Sequence, residues 1–164
     1  GERLIDIVYH KISLQCSAVA ISGGTRYDLN IGNIEDSIYV PKGPVAAVFS
    51  AAGALKDDVA GFFTVPVDSP NFPGDLCARL YSASHSAVAA DQNGRHPTFG
   101  WWRVSDVITA LGRVDADRSL SLNRLADICN ARDISWPGHS LFYNINSAND
   151  LTRYLTDVAP ANMR

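Results

Sequence analysis

Ser37-Ile-Tyr-Val-Pro-Lys-Gly-Pro-Val-Ala-Ala-Val-Phe-Ser-Ala-Ala-Gly53 is the stretch on which the reading of the chain turns. Ile38, Tyr39 and Val40 favour extended backbone, and the Pro41–Pro44 turn stops them. The alanine-rich run to Gly53 then reads as a helix with Pro44 at its first position. A strand would therefore deliver Tyr39 to a tight turn, beside a helix amino end whose unpaired N–H groups favour an anionic ligand. That geometry points to a nucleotide pocket, although many purely structural strand-to-helix units share it.

Upstream, Leu4 to Ile12 is rich in Ile, Val and Tyr and reads as a strand with Tyr9 and His10 on opposite faces. Ser13 to Ile21 reads as a short helix broken by Gly23-Gly24, and Thr25 to Asp36 carries turn chemistry and reads as a surface loop. Downstream, Gly61 to Asp68 reads as a strand, with Pro66 placing it at an edge or bulge. Asp75 caps a helix from Leu76 to about Ala90, and Asp91 to Phe99 reads as a mobile loop. An extended piece at Trp101–Val104, a helix ended by Gly112 and a helix opened by Ser121 follow. A strand at Ser140–Ile145 and a helix begun by Ser147, with Asp150 in the capping-box position, complete the order. The expected fold is α+β, a single domain over 1–164 with a small mixed sheet and helices packed on it.

Of 164 residues, 46% are hydrophobic, enough for one core and too few residues for two comfortable domains. The net charge is −3 and there is no long basic block, so nucleic acid held by its phosphates is a poor first ligand. Cys16, Cys77 and Cys129 make no CxxC pair and no disulfide framework, which favours a reducing intracellular compartment. No apolar run is long enough to cross a bilayer, and the opening residues lack the layout of a signal peptide.

Val8-Tyr9-His10, the loop Gly23-Gly24-Thr25-Arg26-Tyr27-Asp28-Leu29, Ile38-Tyr39-Val40 before an alanine-rich helix, and Gly61-Phe-Phe-Thr-Val-Pro-Val67 together resemble the ADP-ribosyltransferase fold. The likeness takes in both the diphtheria-toxin and poly-ADP-ribose-polymerase branch and the RES-domain branch of NAD-degrading toxins. The closing Gly138-His-Ser-Leu-Phe-Tyr-Asn144 is similar to the last site strand of both. The resemblance implies NAD as ligand and substrate, with His10 on the adenosine ribose, Tyr39 stacked on nicotinamide and Arg26 on the phosphates. It also implies a catalytic glutamate that the chain lacks: the matching position of the first branch holds Phe142, and that of the second holds Ser50. Cleavage through a cationic transition state needs a nearby carboxylate. Among Glu35, Asp68 and Asp150, the last two read more simply as a turn former and a helix cap, leaving Glu35 as the acid to test.

Each residue also has a plainer reading. His10 fits a structural histidine, Tyr39 a core tyrosine and Arg26 a solvated arginine. Without its glutamate the chain would serve as a degenerate copy, an interaction module with a protein partner or within a larger assembly. A third reading pairs Cys77, in the first turn of a helix, with His139 as base of a Cys-His hydrolase. Cys77 also sits at core spacing. His85 and His96 lack ligand spacing, so no metal site is expected.

Overall fold

The computed structural model describes residues 3–23, 27–37, 41, 43–115, 119–138, 141–154 and 156. Its elements run α1 (Leu4–Ser13), β1 (Ala20–Ser22), β2 (Gly32–Ile34), α2 (Val45–Leu55), β3 (Gly61–Thr64), α3 (Leu76–Tyr81), β4 (Ala87–Asp91), β5 (Gly94–Arg103), α4 (Val104–Leu111), α5 (Leu122–Ile128), β6 (Arg132–Ser135) and α6 (Ala148–Arg153).

The first element corrects the expected strand over Leu4 to Ile12. Its β-branched residues suggested extended backbone, but Ile5, Val8 and Ile12 recur at helical spacing and all three are buried. Burial of one face outweighs intrinsic preference. Arg3 and Asp6 close the helix start, with Arg3 Nε donating to Asp6 Oδ2 at 2.8 Å. The expected helix over Ser13 to Ile21 gives way to a loop and β1, and the expected loop over Thr25 to Asp36 contains β2. These two strands pair in parallel, Ala20 opposite Gly32 and Ser22 opposite Ile34.

The larger sheet has the order β3-β5-β4-β6. β5 runs antiparallel to β3 and β4, while β4 runs parallel to β6, so β3, β4 and β6 point the same way. The polar stretch from Asp91 to Phe99, expected as a mobile loop, is the turn and first half of β5. Turn chemistry is confined to its tip, where Asn93 N donates to Asp91 Oδ1 at 2.7 Å and Gly94 takes φ +118°. Arg95 on β5 then donates to Asp127 and Asp133 at 2.7 and 2.6 Å. The helix expected to reach Ala90 stops at Tyr81, because Ala87–Ala90 are needed in the centre of the sheet, where all four are buried.

Alternation along the strands builds two cores. On one face Val88 and Trp102 meet Val45 and Phe49 of α2, Val107 of α4 and Leu125 of α5. On the other, Ala87, Ala89, Phe99 and Trp101 meet Val8 and Ile12 of α1, Leu76 and Leu80 of α3, and Trp136 and Phe142. Helices therefore cover both faces of a mixed sheet. The adjacent tryptophans fit because Gly61 and Gly100 leave them room. A Cβ on Gly100 would lie 2.5 Å from Trp102 Nε1, and one on Gly61 2.6 Å from the Trp102 carbonyl oxygen.

Among the described residues no helix is long and apolar enough to cross a membrane. The strand expected over Ser140–Ile145 is not formed by Leu141–Ile145, which run as turn and loop. Its function in the fold is instead to reach back to the end of β3.

Candidate functional site

β3 ends at Thr64, and the chain continues through Val65-Pro66-Val67 into Asp68-Ser69-Pro70-Asn71-Phe72-Pro73. Loops at the carboxyl ends of strands in an open sheet form the crevices where ligands bind. This loop is held from three sides. From the last segment, Ile145 N donates to the Asp68 carbonyl at 2.7 Å. From α1, Lys11 Nζ donates to the Pro70 carbonyl at 3.2 Å, and from the turn just after it Gln15 Nε2 donates to the Pro73 carbonyl at 3.2 Å. Lys11 also lies 4.9 Å from the centre of the Phe72 ring, and burial keeps its ammonium below the usual lysine range. From beneath, Phe72 is fully buried in the second core.

The buried Ser69 hydroxyl donates to Asn144 Oδ1, and its oxygen lies 3.4 Å from Asp68 Oδ1. Since that bond occupies the amide oxygen, Asn144 is left with its two N–H donors for a ligand. Asn144 is itself exposed, and Asp68 half-buried. The segment carrying Asn144 is fixed by Asp150, which accepts from the Tyr143 hydroxyl at 2.6 Å and from Asn146 N at 3.1 Å. The Tyr143 bond is the main reason the Asp150 carboxyl stays below the usual range. Ser147 Oγ in turn accepts from Asp150 N at 3.2 Å, so Ser147 is the cap of α6 and Asp150 stands in its first turn. A carboxylate and an amide thus flank one buried hydroxyl, a pair suited to a cation and to phosphate oxygens.

Sequence reasoning dismissed Asp68 as a turn former and overlooked Asn144. The signal that could have found the former was a carboxylate leaving a predicted strand at its carboxyl end.

The residues singled out in advance fare differently. His10 lies exposed in the last turn of α1, on a helix rather than a strand. Arg26, Tyr39 and His139 lie outside the described residues. Glu35 follows β2 directly and is exposed, at the end of the strand pair where Gly23 N donates to the Ile34 carbonyl at 3.0 Å. Phe142 is buried between rings, with centres 4.9 Å from both His96 and Phe99 and 5.6 Å from Trp136. Cys77 does open α3, but it is buried and its Sγ lies 3.6 Å from that of Cys16. That bond, with burial, pushes the Cys77 thiol far up, the opposite of an activated nucleophile.

The MobA-like NTP transferase domain matches residues 1–133. A molybdenum cofactor guanylyltransferase of Cereibacter sphaeroides is 34% identical over 163 residues, covering 93% of this chain and 81% of that protein. One of Rhizobium leguminosarum is 28% identical over 164 residues, covering 92% and 78%. The crystal structure of molybdopterin-guanine dinucleotide biosynthesis protein A from Archaeoglobus fulgidus superposes with a TM-score of 0.62 at 16% identity, over 93% of this chain and 84% of that one. That of 2-C-methyl-D-erythritol 4-phosphate cytidylyltransferase from Thermus thermophilus gives 0.59 at 13%, over 93% and 87%.

These matches overturn the ADP-ribosyltransferase resemblance, which rested on short, permissive patterns. With it fall NAD as ligand and substrate, the degenerate copy of that fold, and the Cys77–His139 hydrolase. A nucleotide remains the class of ligand, and the chain belongs to the MobA-like NTP transferase family.

Proposed function

We propose that the chain transfers a guanylyl group from GTP to an oxygen of the molybdenum cofactor, releasing pyrophosphate. What carries this reading is the 34% identity, across 93% of the chain, to a protein named for that activity. The loop after β3, with Asp68, Ser69 and Asn144 gathered at it, is the site we assign to the reaction.

In such a transfer an acceptor oxygen attacks the α-phosphorus while the bond to the bridging oxygen breaks, and the protein contributes mainly position and charge. Magnesium fits the site in one respect that the structure bears on: it binds through one or two carboxylates together with substrate phosphates. Asp68 offers one carboxylate, half-exposed, with a long contact from Ser69. When bound, the ion would draw charge from the phosphates. Asp68 would hold the cation and Asn144 would donate its N–H groups to a phosphate oxygen, while Ser69 keeps that amide turned the right way. Lys11 and Gln15 hold the loop in register from α1 and the turn just after it. Glu35, at the carboxyl end of β2, is a second acid proposed for the nucleotide.

The test is to incubate the full chain with magnesium, purified molybdenum cofactor and each of the four ribonucleoside triphosphates labelled at the α-phosphate. Label should pass to the cofactor from GTP, with at least roughly tenfold preference, a discrimination of about 1.4 kcal/mol. Transfer from CTP or ATP at equal rate, or no transfer from any of them, contradicts the reading.

A further inference from the structure

We propose that Cys16 and Cys77 form a modification site, a thiol pair that hydroperoxides oxidise to an intrachain disulfide. The two Sγ atoms lie 3.6 Å apart although 61 positions separate them in the chain. A disulfide needs about 2.0 Å, so a shift of some 1.6 Å closes the bond. The backbone around both is already pinned. Gln15 Oε1 accepts from Cys77 N at 3.0 Å while its Nε2 donates to the Pro73 carbonyl, which joins the end of α1 to the start of α3.

The partners differ in a way that assigns their roles. Cys16 is half-buried and open to a small oxidant, whereas Cys77 is buried. The hydrogen bond between them favours the thiolate on Cys16 and keeps the proton on Cys77. Cys16 sulfur therefore attacks one oxygen of the hydroperoxide. An S–O bond forms, the O–O bond breaks, and the other oxygen leaves with a proton as alcohol or water. Cys77 sulfur then attacks the Cys16 sulfenic acid: the S–S bond forms, the S–O bond breaks, and hydroxide departs with the Cys77 proton as water. Two electrons from two thiols reduce one peroxide.

Cys129 is an internal control. It lies in the other core, against α5, and burial pushes its thiol up to about 12.

The experiment treats the reduced full chain with equimolar hydrogen peroxide and maps its tryptic peptides without reductant. One linked pair of peptides is expected, carrying Cys16 and Cys77, with Cys129 still alkylatable and the link reversed by dithiothreitol. Closing so long a loop should raise the thermal midpoint by roughly 10 °C. In Cys77→Ser, a sulfenic acid on Cys16 should persist and react with dimedone, and Cys16→Ser should take up no oxidant at Cys77. The proposal is overturned if the wild-type chain shows no such link while peroxide is consumed, or if Cys129 is oxidised first. Failure of guanylyl transfer leaves this measurement unaffected.

Discussion

Ser69→Ala removes one hydroxyl from the centre of the proposed site and nothing else. Ser69 is fully buried, but its partner Asn144 is exposed, so the freed amide oxygen is hydrated and no buried orphan is created. The stability cost is then that of one ordinary hydrogen bond, about 1 kcal/mol, or a fall of roughly 2–4 °C in thermal midpoint. The effect on catalysis has the same origin. The hydroxyl holds the amide in one of two orientations, and a preference of about 0.5–1.5 kcal/mol is a population ratio of at most roughly tenfold. Guanylyl transfer by Ser69→Ala should fall by roughly two- to tenfold in kcat with KM for GTP little changed. Asn144→Asp keeps the acceptor, loses both donors and adds a charge facing phosphate, so it should fall much further. Steady-state kinetics of transfer from α-labelled GTP, alongside urea unfolding, measures both. If Ser69→Ala unfolds earlier yet transfers at the wild-type rate, the hydroxyl supports the fold alone and the orienting role is wrong.

Three further outcomes follow from the fold. Gly100→Ala puts a methyl group 2.5 Å from the fully buried Trp102 indole, and overpacking of this kind should cost about 1–3 kcal/mol, read as a lower urea midpoint at unchanged slope. Thr64→Val leaves the buried Trp102 Nε1, which now donates to Thr64 Oγ1 at 2.9 Å, without a partner; a loss of about 1–3 kcal/mol is expected, with Thr64→Ser close to wild type. The Asp91 carboxyl is raised by burial, but the His96 bond at 2.9 Å and the Asn93 N–H outweigh that and hold it below the usual range. A folded value below the unfolded one stabilises above the unfolded carboxylate range, and the gain is lost as pH falls through the folded value. Urea midpoints of wild type and Asp91→Asn should therefore differ at pH 7 and converge in strong acid.

The helices that alternate polar and apolar faces were legible in the sequence. α2, α4 and α5 lie close to where the sequence puts them, although α2 begins at Val45, one residue after Pro44, and α4 begins at Val104; of the three starts it is that of α5 that carries a side-chain cap, Ser121 accepting from Arg124 N at 3.2 Å. The misread elements are those in which composition and position conflict. Leu4 to Ile12 is rich in β-branched residues yet helical, because Ile5, Val8 and Ile12 are buried at helical spacing, the last two in the second core. Ala87–Ala90 is alanine-rich yet extended, because small side chains fit the centre of a sheet covered on both faces. The site was partly legible for a related reason. Asp68 closes a strand expected over Gly61 to Asp68, whereas β3 stops at Thr64 and Asp68 lies in the loop beyond it; Asn144 is 76 positions further on and arrives through a loop with no pattern of its own. Asp150, whose sequence position marks only a helix start, also fixes that loop by accepting from Tyr143 and Asn146. The resemblance to ADP-ribosyltransferases failed because it needed Val8-Tyr9-His10 on a strand, and that segment is helical.

The most direct test of the central claim is the rate of guanylyl transfer from α-labelled GTP to molybdenum cofactor by Asp68→Asn, at saturating magnesium. If Asp68 holds the cation on the triphosphate, kcat falls by at least roughly a hundredfold, about 2.7 kcal/mol of barrier, while the variant unfolds at the wild-type urea midpoint within about 0.5 kcal/mol. Transfer at the wild-type rate by that folded variant contradicts the account.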